Sequence, residues 1–344
     1  MTIAGVKTAV TGFTDFTRRV LLAVQRNASL DVKELMATYE LTAYPLSLFD
    51  DYGELRVISK SALLNLLKPL NPNTTSLTCK TPSYQVLIQD GLALLLMFPI
   101  SGLKTFKDLC SAFFEMISRK SAGFQEVHLI FDRYHIGASF KDRTRRSRAK
   151  AGSCCVEIQS STRIPPGMSM ARILSMNLNK NALTSLIAAE SQAFPWTFIF
   201  VCSWKDKAIA SHGMDAEPYV CGQEEADTKI IYHLSRLPKT AEVTVLSPDT
   251  DILVLLIRHF KEIPKETTLR LGKQLYKIFD LHEAIGRRAD VITAFHSLTG
   301  CDTVRSFFRE GKQVAWTAFL KANDATLTAL ARFQEAQMDT ESLK

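Results

Sequence analysis

The sequence contains no long apolar run, no Cys-x-x-Cys pair, no histidine at ligand spacing from another histidine or a cysteine, and no internal repeat or low-complexity tract. Each absence removes a class of protein. The most apolar windows, Gly91 to Leu103 and Ile252 to Ile257, fall far short of the ~20 residues a membrane-spanning helix needs, so neither a span nor a membrane partner is expected. The opening residues lack the basic, then apolar, then small-residue order of a secretory signal. Thr-rich and carrying Lys7, Arg18, Arg19 and Arg26 against Asp15, they fit an amphipathic helix better than a mitochondrial presequence. The seven cysteines are odd in number and scattered, which points to a reducing compartment, nucleus or cytoplasm, and away from a zinc module. His233 and His259 read as helix-face residues rather than ligands.

What is present is a chain of 344 residues with mean hydropathy near zero, long enough for one large domain with an extension or for two domains. Its net charge of +7 is concentrated. Between Arg133 and Lys150 lie Arg133, Lys141, Arg143, Arg145, Arg146, Arg148 and Lys150 against the single Asp142, and the rest of the chain is nearly neutral. Such a run is a solvated face, an import signal, or an arm that binds phosphates.

Short β-rich runs alternate with helical patterns, the signature of a parallel α/β sheet. "YQVLIQ" (84–89), "EVHLIF" (126–131), "TFIFVC" (197–202) and "EVTVLS" (242–247) read as strands, and "TTLRLGKQLYKIFD" (267–280) as a hairpin about its glycine. "GLALLLMF" and "TFKDLCSAFFEMIS" read as helices, and "EEADTKIIYHLSRL" places Ala226, Ile230, His233, Leu234 and Leu237 on one helical stripe. Residues 1–80 read as a mainly helical N-terminal extension ending in the turn-rich "PLNPNTTS", 81–322 as the main domain, and 323–344 as a C-terminal helix or tail. Within the domain, 133–150 is the basic segment and 151–195 reads as an irregular insertion.

The acids fall at telling places on this scaffold. Asp90 follows the first strand, Asp132 the second, and Asp249 and Asp251 the fourth, where "SPDTD" interrupts two apolar runs. In an open parallel sheet those strand ends share one edge, where ligands bind. Glu225 and Asp227 fall in the first turn of a helix and Asp302, in "LTGCDT", where another begins. Taken singly, each also fits a helix cap, since the macrodipole favours acids there. Seven carboxylates brought together repel unless cations neutralise them, and oxygen-only ligands select Mg²⁺ or Mn²⁺. Two such ions about 4 Å apart activate a water and stabilise the leaving oxygen of a phosphodiester. With the basic run to hold phosphates, metal-dependent hydrolysis of nucleic acid is the leading expectation.

"IQDG", "IFDRY", "EEADTK", "SPDTDILVLL" and "LTGCDT", in this order, resemble the flap-endonuclease-like branch of the PIN-domain nucleases, and the PIN-like proteins of invertebrate and fish mobile elements. The resemblance covers Ser83 to Lys321. It implies a PIN-like parallel sheet flanked by helices and a two-metal nuclease acting on DNA or structured nucleic acid. It assigns Asp90, Asp132, Glu225 and Asp227 to one metal and Asp249, Asp251 and Asp302 to the second or to a bridge, with Glu224 a bystander. Lys141, Arg143, Arg145, Arg146 and Arg148 would contact phosphates beneath an arch-like segment. This chain departs from the family in its long N-terminal extension, in having Asp227 for a glutamate, and in the degenerate "FFREGKQVAW" hairpin. Two alternatives stand beside the nuclease: a catalytically inactive nucleic-acid-binding or mobile-element accessory protein, and a phosphatase using "DTD" in the manner of the haloacid-dehalogenase group.

Overall fold

The alternating apolar runs form one seven-stranded, mostly parallel sheet flanked by helices, an α/β fold as expected. The structure, a computed structural model, describes residues 61–71, 84–134, 155–302, 304–306 and 311–333, with a few isolated positions before 61. Apart from those positions and residues 61–71, which form the helix Ala62–Leu67 and the short helical turn Lys68–Leu70, the expected extension over 1–80 lies outside the described residues. So do Lys141, Arg143, Arg145, Arg146 and Arg148.

In chain order the strands are β1 (Gln85–Asp90), β2 (Glu126–Ile130), β3 (Ile199–Trp204), β4 (Lys207–Ala210), β5 (Glu242–Leu246), β6 (Glu266–Leu271) and β7 (Gln274–Lys277). They lie side by side as β4-β3-β2-β1-β5-β6-β7. The five central strands are parallel, and the two edges are antiparallel hairpin partners. The edge strand β4 is absent from the sequence reading because its four residues are exposed or half-buried and show no apolar alternation. From β1 the chain builds outward through β2 to β3, then returns to place β5 on the other side of β1. The β1/β5 junction is therefore the switch point at which such sheets open a crevice beyond their carboxyl ends.

Helices cover both faces, so the strands are buried on both sides and read as continuous apolar runs. Leu87, Val127, Leu129, Phe131, Phe200 and Cys202 share one apolar cluster with α1 (Gly91–Leu96), α2 (Phe106–Lys120) and α3 (Asn177–Ser191). The alternate residues Val86, Ile88, His128, Ile130 and Val201 are equally buried and serve the opposite face. There α4 (Ala226–Arg236) packs on β1 and β2, α5 (Thr250–Arg258) on α4, and α6 (Ile278–Ile285) on α5. The segment expected to be irregular, 151–195, carries α3, whose Leu183, Ile187 and Ala188 belong to the core. Its Asn and Ser residues had masked the helical stripe.

The chain divides into two compact units, Leu64–Thr293, which holds the sheet, and Met1–Leu63 with Ala294–Lys344. In the second unit α7 (Lys312–Leu320) sets Trp316 and Phe319 on Phe295, with the Phe295 and Phe319 rings stacked at 4.4 Å. Lys312 Nζ is buried there and donates to the His296 carbonyl at 2.9 Å and Thr299 Oγ1 at 3.1 Å, satisfying the end of a helix. Beyond it runs α8 (Asp324–Arg332). Among the described residues no helix is long and apolar enough to cross a membrane.

Candidate metal centre

Asp90 is the last residue of β1 and the cap of α1, its Oδ1 accepting the Ala93 N–H at 3.0 Å. The next residue must be small. A Cβ at Gly91 would lie 2.4 Å from the Phe131 ring, which ends β2 in the core. The strand-to-helix turn can thus press against β2 and hold the Asp90 carboxyl at the strand edge.

Asp132 lies just past β2. Its Oδ1 accepts the Ala226 N–H at 2.7 Å, so a carboxylate from one strand end caps α4, whose own flanking residue Glu225 makes no side-chain cap. Arg133 strengthens the join: its N–H donates to the Glu224 carbonyl at 2.6 Å and its guanidinium to the Gly222 carbonyl at 3.3 Å. Glu224, expected to be a bystander, therefore contributes its backbone. Glu225 is half-buried just ahead of α4, and Asp227 is buried in its first turn.

Asp249 follows β5 and caps α5, its Oδ1 accepting the Asp251 N–H at 3.0 Å, while its own N–H donates to Ser247 Oγ at 3.2 Å. Both aspartates are half-buried, although the residues around them, Ser247, Thr250 and Ile252, are buried. Asp302 belongs to the other unit, in a turn after Gly300, whose φ of +103° is one that glycine tolerates. Asp249 and Asp251 each offer one carboxylate oxygen, the two within 4.8 Å of one another, and this pair is capable of contributing to a metal site.

Within the sheet unit, Asp132 and Asp249 both act on Asp90. Burial first, then the negative charges of Asp132 and Asp249, raise the Asp90 carboxyl from the ordinary 3.8 to about 6, against the lowering effect of the Ala93 and Leu92 backbone. Carboxylates from β1, β2 and β5 therefore share the edge at the switch point. A donor set in which two carboxylates raise the proton affinity of a third, Asp90, suits a hard divalent cation, which would relieve the repulsion.

Lys229 is absent from the sequence reading. It lies on α4, is fully buried, and its Nζ donates to the Lys205 carbonyl in the turn between β3 and β4. The signal was available, since Lys229 stands three residues after Ala226 and four before His233 on the stripe expected to be buried. His233 lies in the core, on the helical stripe where it was expected. Its Nδ1 meets His128 Nδ1 at 2.8 Å, and His128 Nε2 meets Glu126 Oε1 at 2.7 Å. Tyr84 donates to the second Glu126 oxygen at 2.6 Å, and Tyr219 to the first at 3.3 Å. This buried network begins at the opposite end of β2 from Asp132 and takes no part in the acidic edge.

Fold and site together define an α/β protein with carboxylates from three strand ends at the switch point of its sheet. No protein-family model matches the chain, and no curated protein matches it.

Proposed function

We propose that this protein is a PIN-like, metal-dependent nuclease whose acidic edge holds Mg²⁺ or Mn²⁺ and hydrolyses phosphodiester bonds of DNA or structured nucleic acid. The observation that carries the reading is the electrostatic influence of Asp132 and Asp249 on Asp90, the three acids being delivered by three strands to the β1/β5 switch point. Asp227, Glu225 and Asp251 flank them on α4 and α5, and Asp302 is the seventh acid of the set that the resemblance assigns. When bound, a pair of divalent ions supplies an activated water and charge stabilisation for the leaving oxygen. The chain's own part is to fix the carboxylates. Backbone N–H groups at the starts of α1, α4 and α5 each engage one oxygen, which orients the side chains before any ligand arrives. The basic run after Arg133 is suited to the phosphate backbone.

The phosphatase alternative has less support, because the Asp249–Asp251 pair follows β5 rather than the first strand of the sheet. An inactive accessory protein would keep the same acids as helix caps. The decisive experiment measures cleavage of a labelled oligonucleotide with Mg²⁺ or Mn²⁺, with EDTA as control, together with the thermal shift on adding Mn²⁺. Wild type should cut and be stabilised by the ion, and Asp249→Asn and Asp251→Asn should lose both effects. Ion-induced stabilisation unchanged in the double variant would overturn the metal reading. Ion binding without cleavage would favour the accessory protein.

A further inference from the structure

We propose that the buried contact between His128 and His233 is a pH-sensitive latch that pins the last turn of α4 to β2 and releases it on acidification. The proposal does not rest on the nuclease reading, since the latch lies away from the acidic edge.

His128 is flanked in the sheet by Ile88 and Val201, both fully buried and apolar, so its ring nitrogens need partners from the helix side. Glu126 anchors the set. Tyr84 donates to one of its oxygens at 2.6 Å, while His128 Nε2 and the Tyr219 hydroxyl meet the other at 2.7 and 3.3 Å. Burial works against the charge, yet the bonds from His128, Tyr84 and Tyr219 hold the carboxyl below its ordinary 4.5, so it stays an acceptor. His128 Nε2 must then carry a proton, which leaves its Nδ1 to face His233 Nδ1 at 2.8 Å.

That contact accommodates a single proton, donated by one ring and accepted by the other. With both rings charged, two N–H groups would point at each other inside the core. Once the rings part, both are free to take up protons below about 6.5. Acid therefore favours the parted state. The surroundings reinforce the restriction. Burial first, then the charges of His128 and Lys229, one turn earlier on α4, resist a proton on His233, while the Tyr219 backbone favours one. Glu217 in the turn before α4, Asp227, Tyr232 and Arg236 on α4, and Asp251 and Arg258 on α5 are not among the charges acting on it. Since Asp132 holds the start of α4 and the Lys205 carbonyl holds Lys229 at its middle, loss of the latch frees the last turn first.

The test is hydrogen exchange by mass spectrometry on the full chain in EDTA at pH 7.5 and 5.5, corrected for the pH dependence of the chemical step. Peptides covering the end of α4 should open about tenfold more readily at pH 5.5, roughly one unit below the ordinary histidine value, while α2 on the other face stays protected. His233→Gln does not titrate and offers His128 either a carbonyl or an amide N–H, so its α4 should respond less than about twofold. His128→Gln removes the opposing ring and should shrink the response as well. Equal acceleration in α2 and α4 would mean global acid unfolding and would overturn the latch. A full acid response in His128→Gln would also overturn it, by placing the effect on the burial of His233 alone, and so would a full response in His233→Gln. Should either variant fail to fold, the comparison of α4 with α2 in the wild type and the remaining variant decide the matter.

Discussion

Asp90 shows how a single residue can be structurally useful and electrostatically expensive. One oxygen caps α1, while burial and the neighbouring carboxylates hold the proton up to about pH 6. A carboxyl with its folded pKa raised above the unfolded value binds its proton more tightly in the native state, so stability falls as pH rises from about 4 to about 6. His233 works in the other direction. Burial, then the charges of His128 and Lys229, hold it well below the ordinary 6.5, so it costs stability as pH falls below that value. Asp90→Asn keeps an oxygen for the Ala93 N–H and removes the charge. It should therefore be more stable than wild type by about 1–2 kcal/mol at pH 7.5 in EDTA, with the difference vanishing near pH 4. Chemical denaturation across pH checks this, and a gain that persisted unchanged at pH 4 would show that ionisation of Asp90 is not its source.

At the scale of elements, the site is built from strand-to-helix joins. The β1–α1 join depends on Gly91, because the Phe131 ring at the end of β2 occupies the space a side chain would need. Gly91→Ala should cost about 2 kcal/mol in urea unfolding as the ring or the turn gives way. It should also weaken Mn²⁺ binding, since Asp90 moves with the turn, and full affinity in a destabilised variant would separate the join from the site. The β2–α4 join is of a different kind. The side chains of Asp132 and Arg133 dock the helix through the Ala226 N–H and the Gly222 carbonyl, which explains why an acidic and a basic residue adjoin at this strand end.

For the whole molecule, the expected division of labour is between an acidic edge that performs chemistry and a basic run that binds. Neutralising Arg143, Arg145 and Arg146 together should weaken oligonucleotide binding and flatten its salt dependence by about 0.7 to 0.9 log units per lost contact. Asp251→Asn should leave metal-free binding intact or slightly tighter, because it removes a negative charge near the backbone. Fluorescence anisotropy from low to moderate salt reads both, and an unchanged slope in the arginine variant would reduce the run to a solvated face or an import signal.

The sequence by itself determined the class of fold and the location of the acids along the chain. Short, β-rich apolar runs bounded by turn residues read as strands of a covered sheet, and β1, β2, β3 and β5 lie within a few residues of where those runs predict them. Strand-end acids were legible for the same reason, since Asp90, Asp132 and Asp249 break apolar runs at their carboxyl ends. Only the tertiary structure decided the strand order that sets β1 beside β5, the steric demand on Gly91, and the burial of Lys229. The physical reason is that periodicity reports which side of an element is covered but not what covers it. A lysine on the buried stripe of α4 looks like an exception until the Lys205 carbonyl of the hairpin is placed against its ammonium.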